Sequence, residues 1–216
     1  MRGDEGAWVP PSLSAAPVPV AALFGGDRVV AMGPGGAPAC AEVYYTFNHK
    51  GGSNLLVRLV ADLPGGGQAL LRVSTAHLVF RATKGAESTW DADREAVMAS
   101  AVAVGDYVFA SAGPAAGPVR PALVLHVSAA RGQLRSVLTD SGMLLAGGVA
   151  ASTHSYHEGL HRALFAPLKI VHWLAGPGAV RAGTVQAALG AVDDLWQKLG
   201  HATAMGWAAA RPGGKK

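Results

Sequence analysis

Short apolar segments separated by glycine and proline run along much of the chain. Their β-branched and aromatic residues, with turn formers at their ends, are typical of β-strands. The pattern predicts strands within Val20–Ala31 (which contains a Gly-Gly-Asp turn), Glu42–Phe47, Leu55–Ala61, Ala69–Val73 and His77–Ala82. The polar segment that follows, Lys84–Arg94, is predicted to be a surface loop. Strands at this spacing indicate an all-β sandwich or barrel-like body.

Part of this pattern occurs a second time. The string GGDRVVA at Gly25–Ala31 is matched by VGDYVFA at Val104–Ala110, 79 residues further along. Each copy continues into a Gly/Pro loop and then into an apolar strand, Glu42–Phe47 in the first and Ala122–Val127 in the second. Repetition of the same order favours a duplicated β unit over a chance match. We therefore predict that residues 95–127 are built on the same plan as residues 19–47.

Helical spacing replaces the strand pattern towards the C-terminus. It is predicted to begin at His154 and to reach Leu164, and an apolar face resumes over Leu168–Leu174 after Pro167. An amphipathic helix is predicted over residues 184–199, with apolar positions spaced alternately by four and three: Val185, Leu189, Val192, Trp196 and Leu199. The predicted organisation is a loose leader at 1–17, one domain at 18–174 and a helical tail at 175–216.

Composition and charge narrow the possible functions. Half of the residues are hydrophobic and 15% are charged, so the chain can bury a core. The net charge of +4 is dispersed rather than gathered beside aromatic residues, which argues against nucleic-acid binding. No apolar run approaches the roughly 18–20 residues of a membrane span, and prolines interrupt the N-terminal apolar stretch, so no signal peptide is predicted. A single cysteine excludes an internal disulfide and a cysteine zinc cluster.

The most informative string places a hydroxyl residue three positions before a histidine, in Ser74-Thr75-Ala76-His77. It lies between the two Gly-Asp blocks, and the string GVAASTH, ending at His154, follows the second. This succession, which covers Val18–Leu174, resembles the Hint domain of hedgehog-type autoprocessing proteins, which are related to inteins. The resemblance implies a pseudo-two-fold all-β fold, here with a short α-helical C-terminal extension.

The resemblance also implies self-directed acyl transfer. In the family a cysteine at the first position of the domain attacks the preceding peptide carbonyl and converts the amide to a thioester. By this resemblance His77 donates a proton to the departing amine, and Ser74, in place of the family's threonine, orients the scissile peptide. An amine leaves readily only when it is protonated, and histidine titrates in the required range. The implied substrate is the chain's own upstream polypeptide, and the acceptor is a sterol or water. No cofactor is implied.

Three positions depart from the family pattern. The nucleophilic cysteine has no counterpart before the first Gly-Asp block; Cys40 follows that block and is interpreted as a small buried or loop residue, and neither Ser12 nor Ser14 has a recognisable context. Asn48 stands where hedgehog proteins carry an acid that activates the sterol hydroxyl, and the adjacent His49 is interpreted as a solvent-facing turn residue. Thr153 replaces a second family cysteine that lies near the reacting peptide.

A histidine cluster offers a different chemistry. His154, His157 and His161 are spaced i, i+3 and i+7 and share one face if the segment is helical. Residues i and i+7 lie two turns apart, so three such histidines do not converge easily on one ion. We therefore predict no metal site.

Besides the less favoured alternative of a His-cluster metal protein, two functions remain open. The first is a hedgehog-type Hint module for self-cleavage, impaired or incomplete because its nucleophile is absent. The second is a non-catalytic Hint-like β domain that binds a protein or lipid partner. Family members commonly follow the secretory route, but the sequence does not indicate a compartment.

Overall fold

Two β-sheets make up the described part of the protein. A computed structural model describes residues 18–49, 54–113 and 116–155, together with residues 166, 169–170 and 172–174 of a helical segment. The strands are β1 Arg28–Met32, β2 Pro38–Asn48, β3 Asn54–Asp62, β4 Gln68–Ser74, β5 His77–Ala82, β6 Arg94–Met98, β7 Tyr107–Ala110, β8 Arg120–Gly132, β9 Arg135–Thr139, β10 Met143–Ala146 and β11 Val149–Ser155. A short α-helical turn, α1, spans Trp90–Asp93.

The strand order brings His77 next to a strand that is distant in sequence. One sheet has the order β1-β2-β9; the larger has the order β10-β11-β5-β7-β8-β3-β4, with β6 paired to β5. The predicted all-β body is confirmed. Strand β5 carries His77 and pairs with β11 although the two are far apart in sequence. Buried and exposed residues alternate along β3 and β4, so one apolar row of each strand faces the main core. Burial of both rows on the same side determines the register in which the two strands pair.

The duplicated unit is confirmed by matching hydrogen bonds. In each copy one residue of the following long strand makes two main-chain hydrogen bonds to the turn. The Val43 carbonyl accepts the Gly26 N–H, and the Val43 N–H donates to the Asp27 carbonyl. Val124 makes the same two bonds, with Gly105 and Asp106. In each copy the aspartate side chain also accepts the N–H of the residue three positions earlier, at 2.7 Å for Asp27 and 2.9 Å for Asp106. Both glycines have a strongly positive φ, 93° and 94°, which disfavours any other residue at these turns.

The polar segment at 84–94 was predicted to be a surface loop, and this prediction is wrong for Trp90. The Trp90 side chain is only 3% exposed and packs edge-on against Phe80 and Phe109, with ring centroids 5.2 Å apart in both pairs. The carboxylate of Asp93 accepts a hydrogen bond from the Thr89 N–H at 2.9 Å and so supports the turn. The flanking acids gave the segment its polar sequence although one face of the turn points into the core.

The prediction of a helix starting at His154 is also wrong. Strand β11 continues to Ser155, and His154 is buried within it, because the main chain there pairs with β5. His154 therefore does not share a helix face with His157 and His161, which lie outside the described residues. Within residues 18–49, 54–113 and 116–155, no three His, Cys, Asp or Glu side chains come together as a metal site.

The leader 1–17 and the helix predicted over residues 184–199 also lie outside the described residues, whereas residues 169–170 and 172–174 are helical as the sequence pattern suggested. Lys169 donates to the Asp140 carbonyl at 2.7 Å, and His172 lies 2.8 Å from a carboxylate oxygen of Glu42, so this segment contacts the β body. None of the helices that the structure describes has the length and apolar character of a membrane span.

Gly147 lies at the point where the larger sheet curls back on itself. Its carbonyl accepts the Leu70 N–H at 2.8 Å, which joins the β10–β11 turn to the edge strand β4. A Cβ added at Gly147 would lie 1.8 Å from the Leu70 carbonyl oxygen, and the residue has a φ of 56°. The turn therefore admits no side chain without separation of the two segments.

We expect Gly147→Ala to lower the free energy of unfolding by about 2–3 kcal/mol, because the clash adds to left-handed strain. Gly35→Ala is the matched control, since Gly35 has a φ of 65° and nothing within 4 Å of the added Cβ. The control should lose only about 1 kcal/mol in urea unfolding. Equal losses in the two variants would contradict the proposed contact.

Candidate functional site

His77 begins β5 and is half-buried beside β11. Its Nε2 lies 2.6 Å from the carbonyl oxygen of Ser152. A carbonyl oxygen only accepts hydrogen bonds, so Nε2 carries the proton and donates. In the neutral ring this tautomer leaves Nδ1 with a lone pair, which can take up a proton and later release it. The bond to β11 therefore fixes both the direction of the imidazole and its protonation pattern.

The pKa of His77 is lowered from its ordinary value by burial, which disfavours the charged imidazolium, while the hydrogen bond to the Ser152 carbonyl opposes this shift and raises the pKa. The ring is accordingly neutral near pH 7. A neutral imidazole can accept a proton from an attacking group, and the low pKa makes the imidazolium that then forms a ready proton donor.

The lowered pKa predicts a pH-dependent stability. Unfolded histidine titrates near 6.5, and folded His77 titrates below this value, so below pH 6.5 the unfolded chain binds the extra proton first. The contribution of His77 to stability is therefore complete above pH 6.5 and is lost as the pH falls through the folded pKa. In urea unfolding, His77→Gln should flatten the loss of stability on acidification.

His126→Gln is the matched control for this measurement, since His126 is an exposed histidine on β8. It should keep the pH slope of the natural chain. If the free energy of unfolding of His77→Gln fell with pH as steeply as that of the control, the burial of a neutral His77 would be contradicted.

Thr153 lies next to the peptide that His77 contacts. The Ser152–Thr153 peptide offers its carbonyl to His77 and its N–H to the Gly142 carbonyl, the latter at 2.9 Å. The Thr153 side chain is 5% exposed, and its Oγ1 accepts the Thr139 N–H at 3.5 Å. Strand β11 thus brings Thr153 and His77 together around one peptide unit.

Ser74 ends β4, and a two-residue turn connects it to His77. It lies opposite Leu56 of β3, on the side of β4 that faces away from Ala69, Leu71 and Val73. Among the described residues no hydrogen bond joins Ser74 to His77, and the Ser74 hydroxyl has no partner. The hydroxyl is therefore available to a peptide that enters beside this turn.

Cys40 lies in β2, half-buried and opposite Val30 of β1. It belongs to the smaller sheet, whereas His77 belongs to the larger one. Cys40 was interpreted as a small buried or loop residue, and this is wrong: it is only half-buried, and pairing with β1 holds it in a strand rather than a loop. Ser12 and Ser14 lie outside the described residues.

The region of Asn48 contains an arginine that sequence reasoning missed. Arg135 of β9 donates to the Asn48 Oδ1 at 2.8 Å, to the Thr46 Oγ1 at 3.1 Å and to the Leu23 carbonyl. Burial lowers the pKa of Arg135, which contacts only neutral acceptors within the part of the chain that the structure describes. No local pattern indicates this contact, because residues 48 and 135 meet only through strand pairing.

The prediction that His49 faces solvent is wrong. The ring is half-buried, with Nε2 2.8 Å from the Ser136 hydroxyl, and it packs edge-on against Phe47. The last residues of β2 pair with β9, so His49 is held against that strand rather than at a free turn.

Comparisons with known proteins agree with this architecture. The model of the Hint module family matches residues 14–191. The hedgehog proteins of Drosophila persimilis and Drosophila pseudoobscura pseudoobscura are each 28% identical over 189 residues, which is 82% of this chain and 33% of each hedgehog protein. The chain therefore spans about a third of the length of the curated relatives that it matches.

Similar solved structures include two inteins. The TvoVMA intein is 22% identical with a TM-score of 0.43, over 57% of this chain and 68% of that one. The KlbA intein precursor from Methanococcus jannaschii is 15% identical with a TM-score of 0.45, over 60% of this chain and 64% of that one. Since the family model spans most of the 216 residues and the duplicated all-β body carries the expected blocks in order, the chain belongs to the Hint module family.

Proposed function

We propose that this domain promotes cleavage of a peptide bond in its own polypeptide, with His77 as the group that moves the proton. The observation that supports the proposal is the 2.6 Å bond from His77 Nε2 to the Ser152 carbonyl. It leaves the Nδ1 of a neutral, half-buried ring as the proton-transfer atom. A histidine held in one tautomer is suited to general acid–base work.

The proposed step is an acyl shift. A thiol or hydroxyl adds to the carbonyl carbon of the scissile peptide, and its proton passes to His77. The C–N bond then breaks as the same proton moves from His77 to the departing amine, which leaves a thioester or ester. Water hydrolyses this product to a carboxylic acid and regenerates the nucleophile, so atoms and protons balance over the cycle.

Ser74 and Thr153 have supporting roles in the proposal. The Ser74 hydroxyl, beside the turn that leads to His77, has no partner within the described part of the chain, and we assign it the binding of the scissile peptide. Thr153 is buried in the strand that holds the imidazole, so it positions rather than reacts. The attacking group is not assigned to Cys40, because that residue is paired within β2 of the other sheet.

Water is the acceptor that the surroundings of Asn48 favour over a sterol. The Asn48 amide accepts a hydrogen bond from Arg135, and an amide does not take up a proton near neutral pH. A sterol hydroxyl would lack a base at this position. His77, once neutral again, can activate water for the second step.

The test uses the chain extended upstream by its natural coding sequence, incubated with and without a small thiol. Mass spectrometry should reveal a new N-terminal fragment that ends in a carboxylic acid, or in a thioester when thiol is present. An extended chain that stays intact under both conditions would instead support the alternative, a non-catalytic β domain that binds a partner. The observation that favours this alternative is that the Thr153 side chain is buried and hydrogen-bonded. Thr153 stands where the family has a cysteine near the reacting peptide, so in this chain that position would stabilise the fold rather than take part in a reaction.

A further inference from the structure

Two arginines lie side by side on the outer surface of the larger sheet. Arg58 of β3 and Arg72 of β4 are directly opposite each other in the antiparallel pair. Leu59 and Leu71, the next residues along each strand, face the core, so both arginines lie on the opposite face. Like charges directly opposite each other destabilise a sheet unless something neutralises them.

No described residue neutralises this pair. Neither guanidinium has an ion-pair or hydrogen-bond partner among the described residues, and the Nε of Arg58 is buried without one. The residue opposite Arg58 on its other side is Ser128 of β8, which is neutral. Asp62, on the same face of β3, is four residues away, a distance of about 13 Å along the strand. The arginines therefore present a fork of unpaired donors, the arrangement that binds carboxylate and phosphate oxygens.

An apolar row runs beside the arginines. Two residues beyond the arginine pair on each strand, Leu70 of β4 lies opposite Val60 of β3. Leu70 is 41% exposed. The two rows are separated by about 7 Å, which is also the distance between alternate side chains of an extended peptide. An extended segment parallel to these strands can thus place an acidic side chain over the arginines and an apolar side chain over Leu70.

We propose that Arg58 and Arg72 bind an extended acidic polypeptide segment that has an apolar residue two positions from its acidic residue. The carboxylate accepts hydrogen bonds from both guanidinium groups and relieves their mutual repulsion. The apolar side chain covers the exposed part of Leu70. This site is separate from His77 and does not require that the domain cleave a peptide bond.

The test measures fluorescence anisotropy of a short labelled peptide with Glu and Leu two positions apart, titrated with the full 216-residue chain. Arg72→Gln and Arg58→Gln should each weaken binding about tenfold, since charge-assisted bonds are lost. Arg120→Gln, at an exposed arginine that starts β8, removes the same charge elsewhere and should leave binding unchanged. Because Arg72 is exposed, its variant remains informative even if Arg58→Gln fails to fold.

A second peptide, with Gln in place of Glu, and inorganic phosphate distinguish the alternatives. Weak binding of the Gln peptide would support recognition of the carboxylate. Equal binding of both peptides, or equal effects of Arg72→Gln and Arg120→Gln, would overturn the proposal. Arginine-dependent binding of phosphate without binding of the Glu peptide would also overturn it, because the ligand would then be a small oxyanion.

Discussion

Replacement of His77 with alanine is expected to slow the proposed self-cleavage at least about 100-fold, the usual contribution of a general acid–base group. The amine is a poor leaving group without a proton, and in the proposed reaction the imidazole beside the β4–β5 turn supplies that proton. The hydrogen bond to Ser152 sets the tautomer, so removal of the ring removes both the proton carrier and its orientation. The rate is measured as the appearance of the N-terminal fragment from the upstream-extended chain.

The matched control is His126→Ala, since His126 is exposed on β8 and its side chain makes no hydrogen bond among the described residues. It should cleave at the rate of the natural chain. A His77→Gln variant separates structure from chemistry, because its side-chain amide can still donate to the Ser152 carbonyl but cannot carry a proton. Recovery of the full rate in His77→Gln would refute the role of His77 in proton transfer.

Trp90→Ala is expected to lower the free energy of unfolding by about 3–5 kcal/mol, the range for loss of a large aromatic side chain from a core. The Trp90 ring lies between Phe80 and Phe109, and the Arg94 guanidinium lies 4.8 Å from its centroid. The cavity left by alanine would be bounded by rigid strands β5 and β7, which limits how far the core can close around it. Urea unfolding of the natural and variant chains measures the difference.

Trp173→Ala is the matched control, because the same side chain is 82% exposed there. Its loss should change the stability by less than about 0.5 kcal/mol. Similar losses in the two variants would mean that the 84–94 segment does not contribute to the core as its contacts indicate.

The duplication was predictable because it depends on local chemistry. Each Gly-Asp turn uses a glycine with positive φ and an aspartate that accepts a nearby N–H, and both requirements are visible within a few residues of sequence. The bonds to Val43 and Val124 then follow from the strand that comes after each loop. A repeated local motif therefore led to a correct architecture.

The errors share a different cause. His154 looked helical because apolar residues beyond it have helical spacing, but pairing with β5 extends the strand through it. Trp90 looked exposed because acids surround it, although the side chains of one turn point in different directions. In both places a neighbour distant in sequence outweighed the local pattern.

The candidate site likewise combines residues that the local sequence indicates with contacts that only strand pairing creates. His77 and Ser74 could be selected from a four-residue string, since the turn between β4 and β5 keeps them close. The partner of His77 is 75 residues away and that of Asn48 is 87 residues away, so both contacts exist only because of how the strands pair. The Arg58–Arg72 pair likewise depends on the register of β3 with β4.

Composition, turn chemistry and the order of the blocks were sufficient to predict an all-β, duplicated chain and to select His77 as a candidate site residue, because these features act over a few neighbouring residues. The protonation pattern of His77, the burial of Trp90 and the neighbours of each arginine required the assembled sheets. Hydrogen bonds between distant strands and desolvation in the core arise only when the whole chain has folded, so no local pattern encodes them.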